Sequence, residues 1–532
     1  MHSIHFYLRS FALEARQIWQ AVKERRVLTW CLAAMVLGFL LRLALCAKMP
    51  YAFYHADCDQ VFDTYQRLGE GSLDINVKKT WLGPLVYCIP GLFRLPILPS
   101  IAITQHLLGL VTVILAGITV AFSFSRWRIF IIPATVAVAL NPDLLWYEHV
   151  ALPETLYVLF VVSTALTGLA YVRRPSLLRL LLLGVSIFLA ASSRPEGQLF
   201  CIFGVALCMT TQWKNWPLFL RDVGALLGFS IVSLAVNRTD QGGSLLYSNV
   251  AHLTPSRLLS APGFAEKHSD YFSRLRQDWA VVPQNIPRER KQLYAFARDY
   301  LTHGKEPRSL KANEFCGRIG AEVCLRNLVH LPSLALTKFR FALRRPVAGD
   351  FGPEWVWIKQ FDAFTGGWEE GEIPSEHTQF DKDSSQLVFG REFHTAPELQ
   401  NHLHDIYKPF TPDWLSAYQR WYSESVQKFS LPDHDDGKVM LCGMPFLYLT
   451  ATLGLILMAI SSVSYRSYHI LWLGMLVLMA FVLALTGSNL GRFRIVFEPF
   501  WFIYTLGLCD AVATIAMKRI PRWQIHSAPK TL

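Results

Sequence analysis

The sequence predicts a mainly α, polytopic membrane protein, and three observations carry that prediction. The chain of 532 residues is 52% hydrophobic and only 17% charged, with a mean hydropathy of +0.27, too apolar for a soluble protein of this length. Its apolar residues are gathered into runs long enough to cross a hydrocarbon core of ~30 Å. The short polar segments between the runs alternate in character, basic and then acidic, as loops on two sides of a bilayer do. Membrane lipids are therefore expected partners, and nucleic acid is not.

About ten spans are expected from run length, near 28–47, 99–124, 129–146, 150–171, 177–193, 198–213, 216–236, 440–461, 468–487 and 495–517. The first carries Arg42, lacks a small-x-small cleavage site and follows a long basic segment, so it reads as an anchor and not as a cleaved signal peptide. Basic residues then mark one side. They are Arg9, Arg16, Lys23, Arg25 and Arg26 before the first span, and Arg126, Arg128, Arg173, Arg174, Arg179, Lys214, Arg221 and Arg466 in alternate loops. Lys518, Arg519 and Arg522 complete the set in the tail. With ten crossings all of these face the cytoplasm, both termini with them, and the intervening acidic turns face outward. The resulting organisation is a cytoplasmic basic segment (1–27), a membrane block with outward loops (28–237), an inserted extracytoplasmic domain (238–439), and a second membrane block with a cytoplasmic tail (440–532).

The inserted domain is polar, rich in Pro and Gly, and large enough for a core of its own. Its charge is lopsided: 18 basic against 9 acidic residues over 238–345, and 7 against 17 over 346–438. The two halves either pair with each other or present the basic half to anionic lipid or substrate phosphate. Over 312–345 apolar residues alternate at helical spacing with Arg318, Arg326, Lys338, Arg340, Arg344 and Arg345, a pattern suited to the outer membrane surface. Cys31, Cys46, Cys201, Cys208 and Cys509 fall within spans, and the cysteines have no zinc spacing. Cys58, Cys88, Cys316 and Cys324 lie on the outward side, where a disulfide persists; Cys316 and Cys324 are too far apart to bridge if one helix holds both.

Four outward clusters can carry chemistry. The first is His55-Ala56-Asp57-Cys58-Asp59-Gln60-Val61-Phe62-Asp63-Thr64-Tyr65, three carboxylates beside a membrane span. Ionisable groups at that depth need water, a partner or a substrate. A carboxylate suits general-base work on a hydroxyl; Asp57 and Asp59 could equally ligate a hard divalent cation, or cap a helix in a solvated loop. The second runs from Asn141-Pro142-Asp143 through Glu148, His149, Pro153 and Glu154. Capping of a helix start explains Glu154 but not Glu148 and His149. The third is Ser193-Arg194-Pro195-Glu196-Gly197, where an Arg–Glu pair is explained by structure alone. The fourth is Gly491-Arg492-Phe493-Arg494, followed by Glu498-Pro499. Arg492 and Arg494 break the positive-inside trend and call for an anion, since guanidinium forks suit phosphate; snorkelling to headgroups is the plainer alternative. A lipid phosphate at Arg492 or Arg494 with its headgroup near Asp57 suits transfer of a group to an acceptor hydroxyl. A secondary transporter or lipid flippase without covalent chemistry is the rival class, although transporters place their charges at the midplane. A non-catalytic binding protein is the third possibility.

These clusters resemble the GT-C glycosyltransferase superfamily, and within it the protein O-mannosyltransferases and bacterial lipid A aminoarabinose transferases. Asp57, Tyr65, Leu68 and Gly71 resemble the family's first external loop, and Asn141-Pro142 through Glu154-Thr155-Leu156 its second. Arg194-Pro195-Glu196-Gly197 is similar to its Arg-x-x-Gly turn, and Arg492-Phe493-Arg494-Ile495 with Glu498-Pro499 to its Arg-Tyr-Arg-Leu-Pro element. The likeness covers roughly 28–236 and 480–517, and 238–439 lies outside it. It implies a polyprenyl-phosphate-linked sugar donor, an inverting transfer to a lipid, glycan or protein hydroxyl, and Asp57 as general base. It further implies donor-phosphate contacts from Arg492 and Arg494, with Arg194 as a further candidate. Glu148 and Glu154 would orient the acceptor or steady Asp57, and Tyr65 and His149 would line the substrate site. Cys58 stands where the family has Glu or Ser, and Val61 where it has an aromatic, so the base is Asp57 or Asp59. The resemblance fixes no cofactor, and metal dependence stays open because the Asp57–Asp59 pair could bind a divalent cation. The expected location is a bacterial inner membrane, with the active site extracytoplasmic.

Overall fold

In a bilayer each backbone N–H and C=O must be satisfied within its own segment, so long apolar runs become helices. The computed structural model describes residues 27–53, 80–93, 95–123, 130–236, 310–336, 446–461, 465–486 and 495–519, with Thr64, Leu246, Asp270, Ser273, Tyr300, Leu301, Arg391, Glu398, Asn401, His402, Ala417 and Tyr418. The principal α-helices among them are α1 (Val27–Lys48), α2 (Leu82–Cys88), α3 (Ile97–Ser123), α4 (Ile131–Ala139), α5 (Pro142–Tyr147), α6 (Glu154–Arg173), α7 (Leu177–Ser193), α8 (Phe200–Gln212), α9 (Trp216–Val236), α10 (Leu310–Arg326), α11 (Phe446–Ser461), α12 (Arg466–Thr486) and α13 (Glu498–Arg519). No β-strand occurs among the described residues; a single isolated parallel bridge joins Phe53 to Val150. The chain is thus mainly helical, and six described helices are long and apolar enough to cross a membrane: Thr29–Lys48, Ile97–Ser123, Glu154–Arg173, Trp216–Ser233, Arg466–Leu485 and Ile495–Ala516. Leu177–Ser193 and Leu449–Ser461 are shorter apolar helices.

The apolar run expected as one span over 129–146 is broken. Asn141 leaves the helical region (φ −59°, ψ 116°), and its side chain accepts from the N–H groups of Asp143 and Leu144, capping α5 with Pro142 in the first turn. Proline lacks the N–H that would continue α4 and disfavours a helical residue before it. A second departure is α2, which packs in the segment read as a loop and buries Leu82, Tyr87 and Cys88. Cys316 and Cys324 do share one helix, α10.

The ends of the helices sort into two groups. At one end, Arg173 at the close of α6 donates to the Tyr465 hydroxyl before α12 (2.7 Å), and Tyr171 donates to Asp222 of α9 (2.6 Å). At the other, the close of α1, α4 and α7 meets the start of α3, α6 and α13. Between them lies the core, where Trp472 of α12 packs against Phe200 and Phe203 of α8 and Phe500 of α13 at ring-centroid distances of 5.8, 5.0 and 5.2 Å.

Candidate functional site

The second group of helix ends is where the polar clusters converge. Arg42, one turn and a half from the close of α1, is buried and spends its whole guanidinium there. Nε donates to Glu148 Oε2 (2.7 Å) and Nη2 to Oε1 (2.6 Å), while Nη1 donates to the Ala139 carbonyl (3.0 Å). The last bond has a local cause. Asn141 takes the Asp143 N–H that would otherwise reach back to Ala139, leaving that carbonyl at the end of α4 for Arg42. Gly109 of α3 faces the Glu148 carboxylate so closely that any β-carbon there would overlap it.

A chain of imidazoles continues from Glu148. His106 Nδ1 lies 2.8 Å from Glu148 Oε2, its Nε2 3.0 Å from His149 Nδ1, and His149 Nε2 2.7 Å from the Met49 carbonyl. A carbonyl can only accept, so His149 Nε2 carries the proton of its bond to Met49. Burial, and then His106, push the His149 pKa down to about 3. His149 is thus neutral, and its Nε2–H donates to the Met49 carbonyl. Because an unfolded His149 takes a proton near pH ~6.5, its contribution to stability is complete above that pH and is lost as pH falls towards 3. Thermal unfolding in detergent should therefore shift to lower temperature between pH 7 and 4.5, and a His149→Gln variant should show a shallower slope.

The same chain holds the start of the acidic loop. Phe53 N–H donates to the His149 carbonyl (2.7 Å), Ala151 N–H to the Phe53 carbonyl (2.9 Å), and Ala52 N–H to Leu98 (3.2 Å). Where the loop returns, Thr80 donates to the Ser193 carbonyl (2.9 Å), next to Arg194. Arg194 pairs with Glu154 through Nη1 and with Glu196 through Nε (3.2 Å) and Nη2 (3.3 Å). Glu154 is fully buried in the first turn of α6, after Pro153, where a carboxylate is stabilised by the positive end of the helix dipole. At the start of α13, the buried Glu498 accepts from Asn141 Nδ2 (3.1 Å), and Ile495 lines a cavity of about 10 Å³ with Glu148, Tyr147 and Thr155. That is room for about one water. Two residues of the inserted region reach the same end: Tyr418 donates to the Leu140 carbonyl (2.6 Å), and the Tyr51 hydroxyl lies 3.1 Å from His402 Nε2. Burial, and then Asp143, push the Tyr418 pKa up to about 12.

No family model, curated protein or solved structure matches this chain.

Asp57, Asp59, Tyr65, Arg492 and Arg494 lie outside the described residues. Glu148, His149, Glu154 and Arg194 lie within them and share one end of the bundle, in two separate clusters. Glu148 and His149, at 2% and 1% exposure, have their polar atoms engaged by Arg42, His106 and Met49. Arg194, itself buried, sits between two carboxylates. No group of three His, Cys, Asp or Glu gathers as metal ligands among the described residues. The residues that local reading missed are His106 and Gly109. Arg42 carried a signal of its own, since a charge inside an apolar span demands a partner.

Proposed function

We propose that the chain is an integral-membrane glycosyltransferase of the GT-C kind. It crosses a bacterial inner membrane ten times with both termini cytoplasmic, and 238–439 forms an extracytoplasmic insertion over the site. The donor is a sugar linked to a polyprenyl phosphate, and the acceptor is a hydroxyl of a lipid, glycan or protein. Asp57, or Asp59 in its place, takes the acceptor proton as that oxygen attacks the sugar's anomeric carbon. The bond from that carbon to the phosphate oxygen breaks, the polyprenyl phosphate leaves with the electron pair, and the configuration inverts. Arg492 and Arg494 stabilise the charge gathering on the leaving phosphate. Glu154 and Arg194 pair with each other, and Arg42, Glu148, His106 and His149 position the loop.

One observation supports this reading above the others. The acidic loop leaves from His149 and returns at Ser193, and the helix that follows Arg494 begins at Asn141, so three separate sequence elements are tethered to the same polar end. Transfer from a lipid phosphate requires the carboxylate loop and the outward arginine pair to meet, and the described residues that flank them, Phe53, Thr80 and Glu498, are held at one end. The test is transfer by the purified protein in liposomes holding polyprenyl-phosphate sugars. Asp57→Asn or Asp59→Asn should lower the rate by ~10²–10⁴, and Arg492→Ala/Arg494→Ala should abolish it. Full activity in both aspartate variants overturns the mechanism. Substrate flux across the bilayer with no covalent product would favour a transporter.

A further inference from the structure

The segment that follows α10 presents apolar side chains in an unusual place. The buried face of α10 is Ala312, Phe315, Cys316, Ile319 and Val323, and its exposed face carries the Arg318–Glu314 pair. The chain then turns tightly: Asn327 N–H bonds back to the Val323 and Cys324 carbonyls (both 3.1 Å), its side-chain amide donates to Val323 (2.8 Å), and His330 and Leu331 N–H both bond to Asn327. A short helix over 331–336 follows. Leu325, Leu328 and Val329 project from this fixed turn at 69, 59 and 87% exposure.

Three large aliphatics within five residues, held outward by a hydrogen-bonded turn, need an apolar partner. The position of the turn identifies it. Leu331 and Ala335 pack on Ala484 and Leu485, with Leu334 and Phe481 beside them, so the hairpin rests on the last turns of α12. The same side of α12 carries the exposed Val477. Pro332, Ala335 and Leu336 also wall an apolar cavity of about 260 Å³ shared with Val477 and Phe481 of α12 and Trp501 of α13. The exposed turn is therefore continuous with the surface that a membrane-spanning α12 shows to lipid, at the end of that helix. Cations flank it: Arg326 precedes it, and Lys338, Arg340, Arg344 and Arg345 follow. Apolar residues bordered by Lys and Arg at a helix end describe an element lying in the headgroup and acyl boundary of anionic lipid.

We propose that the 325–329 turn dips into the acyl-chain region of the leaflet at the α12 end, making the α10 hairpin a lipid-binding anchor of the inserted region. This goes beyond the catalytic reading and does not depend on it. The experiment places p-benzoylphenylalanine at Val329, and separately at Arg318 on the exposed face of α10, in full-length protein. The protein is reconstituted in phosphatidylethanolamine and phosphatidylglycerol vesicles, irradiated, and its tryptic peptides weighed. Phospholipid adducts at position 329, several-fold above those at 318, are expected. Adducts at 329 to this chain or to a second copy, no adduct at 329, or equal lipid labelling at both positions would each overturn the proposal. Loss of sugar transfer with lipid labelling intact would touch only the catalytic reading.

Discussion

Replacing Arg42 by Met should destabilise the folded protein by ~3–5 kcal/mol, the usual consequence of removing one partner of a buried ion pair. The guanidinium makes the fork to Glu148 and caps the Ala139 carbonyl, all in a region closed to solvent. Without it, Glu148 keeps His106 alone, and the end of α4 loses its donor. Charge alone does not account for the size of the effect. Arg42→Lys retains the charge but not the planar fork, and should lie between wild type and Arg42→Met. The double variant Arg42→Met/Glu148→Leu removes the stranded carboxylate, and should recover a large part of the loss, since a buried pair is often replaceable by apolar residues of similar size. Equilibrium unfolding of the four proteins in bicelles measures this. A loss below ~1 kcal/mol in Arg42→Met, the range of an exposed pair, would remove the pair from the account of stability.

How far this site can be read from the sequence depends on how far apart its partners are. The long helices are legible because hydropathy over about twenty residues is a local sum. The break at Asn141 was legible in principle too, as an N-cap residue followed by proline, but a hydropathy window runs through it because Leu144, Leu145 and Trp146 continue the apolar run. The short α2 gives no such sum, and its burial comes from tertiary packing. In the site, Glu148 and His149 stand out locally as charge at a turn, yet their neighbours on the page of the sequence do not say whether they face substrate or protein. That depends on Arg42, 106 residues upstream, and on His106, 43 residues before His149. Gly109 carries no sequence signal at all: its meaning is the space it leaves for a carboxylate from another helix. By contrast the Glu154–Arg194 pair joins two motifs that were each visible as an outward turn, and only their union needed the fold.

Gly454→Ala should lower stability by ~1–3 kcal/mol or more through overpacking, although alanine is intrinsically the better helix former by ~1 kcal/mol. The reason is the approach of α11 to α13. A β-carbon at Gly454 would overlap the Tyr504 carbonyl oxygen and lie 3.0 Å from the Leu508 nitrogen. These are backbone atoms, which cannot turn aside as a side-chain tip does, so the two helices must separate. Small residues serve this purpose in membranes, where close packing and not expulsion of water holds helices together. The Thr450–Thr505 hydroxyl contact at 3.1 Å, on the same seam, would lengthen as they part. Gly474 of α12 supplies the control, because nothing lies within 4 Å of its added β-carbon. Gly474→Ala should be neutral or slightly stabilising, by up to ~1 kcal/mol. Opposite signs in the two variants would identify helix spacing, and not glycine content, as the quantity under strain. The consequence should reach the proposed site as well. α13 begins four residues after Arg494 and is held at its first residue by Asn141, so on the proposed mechanism a displaced α13 would move Arg492 and Arg494 relative to the Asp57 loop. Sugar transfer should accordingly fall in Gly454→Ala at temperatures where the protein remains folded, and stay at the wild-type level in Gly474→Ala. A Gly454→Ala protein as stable as wild type would show that α11 and α13 are not packed through this contact.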